Sequence, residues 1–267
     1  MDRLHVGVAT IPRREKVFPE VLASLLNQTC PPDKIFVALN NYKRKPTKFS
    51  SDERIEYRLT GGGNRGDVEK FFPLVRQEAE YIASTDDDII YPKDYFECLM
   101  RWSRQFDDRA ALGIYGRVLQ ELPCRRFYGN KIYCYRSRMG KPAQVSVLGT
   151  GTFLVRSSLL SGFQMPKDPA FVNRGDILIA VELSRRGVPK VVIPRQNWWM
   201  RDTPAQFNSS THNSRTREKY LAGTTKLVNR YADLLRKDGW LKVPTGVARM
   251  KALGKKPQWT ATGIRIR

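Results

Sequence analysis

The chain has 267 residues, 41% of them hydrophobic, enough for one large domain or a domain with an appendage and too apolar for wholesale disorder. No run of about 18 apolar residues is present, so no membrane-spanning helix is expected. Lys and Arg number 47 against 26 for Asp and Glu, a formal net charge of +21, which points to a polyanionic partner, either nucleic acid or an anionic membrane surface.

In chain order, "RLHVGVA" is a short apolar run suited to a central strand, and "TIPRRE" breaks it with a proline. Val17, Phe18, Val21, Leu22, Leu25 and Leu26 recur at helical spacing until "TCPPD". "KIFVALN" and "RIEYRL" read as the next two strands. "DVEKFFPLVRQEAEY" predicts one helix leading into the strand "YIAST". This β-α-β alternation predicts a doubly wound sheet whose ligands bind outside the carboxyl ends of the strands. Asp86, Asp87 and Asp88 fall at such an end.

After Pro92, "KDYFECLMRWSRQF" predicts a helix and "ALGIYGRVL" a strand. "RRFYGNKIYCYR" reads as a hairpin turning at Gly129-Asn130. "SVLGTGTFLVRSSLL" is a strand whose glycines allow a close approach. "DILIAVELSRRG" is a helix and "PKVVIP" a strand. A last helix is expected over "TREKYLAGTTKLVNRYADLLRK". The division expected is a domain over 1–194, with halves 1–92 and 93–194, and a basic extension over 195–267 that holds 16 basic and 4 acidic residues. Cys30, Cys98, Cys124 and Cys134 show no metal-like spacing, and "MDRLHVGVATIP" has no apolar signal stretch. A reduced, cytoplasmic protein is therefore expected.

Three adjacent carboxylates at a strand end repel one another. A divalent cation relieves that repulsion, and carboxylate oxygens suit Mg²⁺ or Mn²⁺. Alternation along an extended segment puts Asp86 and Asp88 on one face. The competing reading is a solvated acidic loop, which the return to apolar residues in "IIYP" disfavours.

"STDDDIIYP" resembles the DxD segment of inverting glycosyltransferases of family two, which share the nucleotide-sugar-binding GT-A fold. "VGVATIPRRE" resembles that family's first strand and uridine loop, and "GNRGDVEKFF" the segment before the DxD strand. "LGTGTFLVR" resembles its acceptor-side strand, and "NRGDILIAVELSRRGVP" the helix start that carries the base. Together these cover about residues 4 to 194. The departures are the C-terminal third and "NRGD" in place of a paired Glu-Asp.

The resemblance implies an α/β GT-A-like mixed sheet and a metal-dependent transfer from a nucleotide-sugar, UDP-linked by preference. It implies Asp88 as metal ligand, with Asp86 or Asp87 on the metal or the donor ribose. Thr10, Pro12 and Arg14 would line the base pocket, while Asp67 and Lys70 would meet the base and phosphates. Asp176 would be the catalytic base, and His212, in "NSSTHNSR", a late metal ligand. Each has a plainer reading. Arg14 and His212 would be exposed, Asp67 and Lys70 ordinary helix-start residues, and Asp176 only an N-cap. His5 is expected to be structural. Gly149 to Thr152 would floor the acceptor site or form a tight bend, and Trp198 and Trp199 are expected in a core.

For the acceptor, "RRFYGNKIYCYRSR" interleaves aromatic and basic residues as a nucleic-acid surface does. Hydroxymethylated pyrimidine in phage DNA is the leading expectation, with the base extracted from its stack. The rivals are a bacterial lipopolysaccharide-core or capsular transferase at the inner membrane surface and a non-catalytic basic DNA-binding protein on the same scaffold. The first rival calls for an amphipathic apolar helix, which is not apparent. The intact aspartates oppose the second. No sign of oligomeric state is visible.

Overall fold

A computed structural model describes residues 2–61, 66–204 and 214–236, together with two short paired strands at 258–260 and 263–265. The first half supplies β1 (Leu4–Thr10), β2 (Lys34–Leu39), β3 (Ile55–Leu59), β4 (Tyr81–Thr85) and the two-residue β5 (Ile89–Ile90). β1 pairs in parallel with both β2 and β4, and β2 with β3. The helix α1 (Phe18–Leu26) buries Phe18, Val21, Leu22 and Leu25, as its apolar spacing requires.

The single helix expected after Gly66 is instead a 3-10 helix, Gly66–Phe71, followed by the short α2 (Phe72–Arg76). Pro73 lacks the N–H that a continuous helix needs and clashes with the preceding turn. α2 ends at Gln77, whose φ of 55° is left-handed.

The second half adds α3 (Tyr95–Gln105), β6 (Ala111–Gly113), β7 (Gly116–Val118), β8 (Lys131–Tyr133), β9 (Ala143–Gln144), β10 (Val147–Leu148) and β11 (Thr152–Arg156). It continues with α4 (Gly175–Arg185), β12 (Lys190–Val192), β13 (Arg201–Asp202), α5 (Ser214–Arg230) and α6 (Ala232–Arg236). One eight-stranded sheet runs β3-β2-β1-β4-β11-β6-β12-β9. It is mixed, because β11 lies antiparallel to both β4 and β6.

Two expected elements differ. "ALGIYGRVL" splits between two sheets, since the N–H groups of Ile114 and Tyr115 both donate to Thr152 Oγ1 at 3.1 Å instead of extending a ladder. Gly129-Asn130 is no hairpin turn: Phe127–Gly129 is a 3-10 turn and Asn130 is extended at φ −81°, ψ 162°. A two-residue hairpin of type I′ needs positive φ at both positions. β8 pairs with β7 instead.

Alternation along the strands sends side chains to two cores. Ala83, Leu112 and Leu154 face α1 and α3, with Trp102 fully buried there; Ile82, Phe153 and Val155 face the core that holds α4. Residues beyond 194 join the second core through Leu227, Val228 and Leu235. Among the described residues no helix is long and apolar enough to cross a membrane, and Cys30, Cys98, Cys124 and Cys134 are free thiols.

Candidate active site

The carboxyl ends of β1 and β4 are neighbours, and each extends into a segment of opposite charge. β1 passes from Thr10 into a 3-10 turn, Pro12–Arg14, with the proline at its start, where a fixed φ suits the turn. That turn aims Arg14, only 6% exposed, at the acidic tip. Its Nη2 donates to Asp88 Oδ2 at 2.8 Å, and its Nε lies 3.6 Å from Asp87 Oδ1. The plainer reading, an exposed helix-start charge, is corrected.

Gly7 places the second cation. A Cβ there would lie 1.8 Å from the Lys70 carbonyl oxygen, so only glycine lets the Gly66–Phe71 segment rest on β1. Lys70 is consequently buried, at 3% exposure, and its Nζ donates to Asp86 Oδ1 at 2.7 Å. Gly151 in turn makes room for Asp86, since a Cβ on it would meet Asp86 Oδ2 at 1.9 Å. The glycine interruption thus admits a side chain of the acidic tip. Tyr91 locks the tip's backbone: its hydroxyl accepts from Asp86 N–H at 2.8 Å and donates to the Gly151 carbonyl at 2.7 Å.

Asp67 and Asp176 meet at the start of α4. Both Asp67 carboxylate oxygens accept from Gly175 N–H, at 3.2 and 3.0 Å, so a residue remote in sequence satisfies the first helical N–H. Asp176 is therefore not the N-cap. It lies in the first turn, where its Oδ1 accepts from Thr150 N–H at 2.8 Å and from Thr150 Oγ1 at 2.6 Å.

A cleft of about 540 Å³ joins these groups, lined by Pro12, Arg14, Asn40, Asp67, Lys70, Asp86, Asp87 and Asn173 among others. Thr10, Asp88 and Asp176 stand outside its lining. Asp88 connects to it through Arg14, and Asp176 lies within the electrostatic reach of Lys70.

Five carboxylates (Asp67, Asp86, Asp87, Asp88, Asp176) therefore surround two cations, Arg14 and Lys70. Burial pushes Asp67 up to about 7, against the pull of Lys70. Burial likewise pushes Asp87 up to about 6, with Arg14 opposing. Asp88 rises to about 7 through burial and the charges of Asp86 and Asp87. Asp176 is raised mainly by burial, against Lys70 and its Thr150 hydrogen bonds. Burial alone would lower Lys70, but the charges of Asp86, Asp67 and Asp176 outweigh it and raise the ammonium's pKa.

The donor set is oxygen only and carries excess negative charge, which fits a hard divalent cation. No three His, Cys, Asp or Glu side chains converge as a complete ligand set among the described residues. A cation here would take its other ligands from a diphosphate and water, as Mg²⁺ commonly does. His212 lies outside the described residues.

His5 is buried on β1 beside Phe36 and takes no part. Trp199 packs on Tyr95 and donates Nε1–H to Asp94 Oδ1 at 3.1 Å, but Trp198 is 64% exposed and is not a core residue. Sequence reasoning missed Tyr91, Asn40 and Thr203. Thr203 donates from both N–H and Oγ1 to the Asp88 carbonyl, at 2.9 and 3.0 Å. Of these, only Tyr91 left a sequence signal, as a tyrosine in an apolar run whose hydroxyl must find a partner.

No family model and no curated protein matches the chain. Among solved structures the fold is similar to that of S. aureus TarS, with TM-score 0.53 and 15% identity over 91% of this chain and 46% of that one. This chain thus spans about half the length of that structure. It is also similar to TarS 1-349 in complex with UDP, with TM-score 0.50 and 13% identity over 99% of this chain and 96% of that one. At these identities the likeness concerns the fold.

Proposed function

We propose that the chain is an inverting glycosyltransferase of the GT-A type that moves a sugar from a UDP-sugar to a hydroxyl group on DNA, hydroxymethylated pyrimidine being the acceptor. The observation that carries the reading is the meeting of Arg14, Lys70, Asp86 and Asp87 at one cleft on the carboxyl ends of β1 and β4, with Asp88 held behind it by Arg14. Excess carboxylate charge inside a strongly basic chain calls for a cation, and a cation there calls for a polyphosphate. The fold likeness to a structure holding UDP supports the choice of nucleotide.

In this reading the nucleobase enters between Pro12 and Asp67, and the diphosphate lies toward Asp86 and Asp88. Asp88, with Asp86, would hold Mn²⁺ or Mg²⁺, which when bound stabilises the charge of the departing diphosphate. Lys70 orients Asp86 and keeps a positive charge beneath it. Asp176 takes the proton of the acceptor hydroxyl as its oxygen bonds to the anomeric carbon and the bond to the diphosphate breaks on the opposite face. Thr150 fixes Asp176 Oδ1, leaving Oδ2 to the acceptor. Burial raises the Asp176 pKa above that of an ordinary carboxyl, which strengthens it as a base.

The test is incubation with Mn²⁺, a panel of UDP-sugars and hydroxymethylated DNA, followed by digestion and weighing of the nucleosides. One pyrimidine nucleoside gaining one sugar is the expected result. Sugar appearing only on a glycolipid would reject the DNA acceptor, and no consumption of any sugar nucleotide would reject the donor assignment.

A further inference from the structure

A second groove, about 580 Å³, lies between the Phe127–Gly129 turn and α5, and Arg125, Arg126, Tyr128 and Lys226 are among its lining residues. Its walls are tied together. Cys124 N–H donates to Asn229 Oδ1 at 2.8 Å, Asn229 Nδ2 donates to the Cys124 carbonyl at 2.9 Å, and Phe127 N–H donates to Thr225 Oγ1 at 3.1 Å. Hydrogen bonds between two elements this far apart in sequence make the groove a built feature.

Its lining carries three basic residues, Arg125, Arg126 and Lys226, against one acidic residue, Glu218, with Tyr128 as an aromatic platform. Arg125, Arg126 and Lys226 are exposed, and no ion pair among the described residues uses them. Some arginines elsewhere are paired, as Arg136 is with Asp202 and Arg230 with Asp168. Tyr128 is 42% exposed although it is firmly braced. The buried Arg117 guanidinium lies 5.2 Å from its ring centroid and donates to the carbonyls of Tyr128 and Asn130 at 3.3 and 3.1 Å. A braced, exposed ring beside exposed cations is the arrangement that single-stranded nucleic acid uses, stacking a base while phosphates meet Arg and Lys.

The groove also adjoins the active site. The link runs from the lining residue Tyr128, which hydrogen-bonds to Tyr220, through the other face of α5: outside the groove's lining, Tyr220 donates its hydroxyl to the Asn173 carbonyl at 2.6 Å, and Arg174 Nε donates to Thr224 Oγ1 at 3.1 Å. Asn173 lines the donor cleft, and Asp176 follows it by three residues.

We propose that this groove carries the acceptor strand: Arg125, Arg126 and Lys226 hold successive phosphates, Tyr128 stacks on a base, and the neighbouring extruded nucleotide reaches Asp176. The proposal rests on the DNA-glycosyltransferase reading and locates its acceptor. A nucleic acid is favoured over a lipid surface because the exposed residues of α5 from 217 onward are Arg217, Glu218, Lys219, Ala222, Lys226 and Arg230, with no large apolar side chain among them.

The experiment is fluorescence anisotropy of a labelled oligonucleotide of about 12 nucleotides, within the usual site sizes, titrated with the whole protein at several salt concentrations. R126A/K226A is expected to weaken binding and to shrink the slope of log K against log salt by about 1.4, roughly 0.7 for each phosphate that the variant no longer neutralises. Tyr128→Ala is expected to weaken binding about five-fold or more with the slope unchanged. Thermal melts of each variant separate these effects from misfolding. Parent-like affinity and slope in the double variant would overturn the proposal, as would binding of phosphatidylglycerol vesicles by a parent protein that leaves the oligonucleotide free. UDP binding by the parent, measured by calorimetry, is read separately. UDP binding without the variant effects sinks the groove alone, and the variant effects without UDP binding sink the donor reading while the groove stands.

Discussion

Lys70→Met tests whether a buried ammonium holds the acidic centre together. Its Nζ bonds to Asp86 Oδ1 at 2.7 Å and neutralises part of the charge on Asp67 and Asp176. Removing one partner of a buried ion pair typically costs about 3–5 kcal/mol. Because the Asp86 side chain is 41% exposed, water takes over part of its solvation, and the lower end, about 3 kcal/mol near pH 8, is the better expectation. For a chain of this size that is a fall in Tm of about 6–12 °C. The pH dependence comes from the carboxyls, because a lysine whose folded pKa is raised contributes fully everywhere below its unfolded value near 10.5. Asp67 already stands at about 7 with Lys70 present, and loss of the ammonium raises it further. Near pH 5 Asp67 then carries a proton in the variant, and the destabilisation shrinks. The assay is thermal unfolding of parent and variant from pH 5 to 8. An unchanged Tm, or a loss that is the same at both ends, would refute the reasoning.

Two glycine substitutions should separate fold from site. Gly7→Ala drives a Cβ into the Lys70 backbone and should cost about 3 kcal/mol or more in thermal or urea unfolding, whereas Gly151→Ala meets the Asp86 side chain first and should lower turnover on the order of 100-fold with a small change in Tm. The ligand-free protein should melt higher as pH falls from 8 toward 5. Asp67, Asp87 and Asp88 have folded values of about 7, 6 and 7 above an unfolded 3.8, so they add stability at low pH that is lost as pH rises through 6–7; a flat or falling Tm on acidification would contradict this. Asp176→Asn should reduce transfer by about 100- to 10,000-fold while UDP binding by calorimetry is retained, and surviving turnover would place the base elsewhere.

The legible parts of the sequence were those with strong local periodicity. β1, β2, β4 and α1 stand where their apolar runs put them, because a strand buried on both faces and an amphipathic helix are each written in consecutive residues. The acidic tip was legible for the same reason, since Asp86 follows directly on a buried strand. Partnerships across the chain were not. Arg14 reaches Asp88 and Asp67 reaches Gly175 over separations of 74 and 108 residues, which no local pattern records. Nor does spacing reveal that Gly7 and Gly151 are there to admit Lys70 and Asp86. The turn at Phe127–Gly129 misled because Gly-Asn resembles a hairpin signal, while the pairing partner, β7, lies upstream.

The most direct measurement is a crystal structure of the protein with UDP and Mn²⁺. The expected result is the uracil between Pro12 and Asp67, the diphosphate facing Asp86 and Asp88, and manganese between them. UDP lodged away from the ends of β1 and β4, with no metal density beside Asp88, would contradict the account.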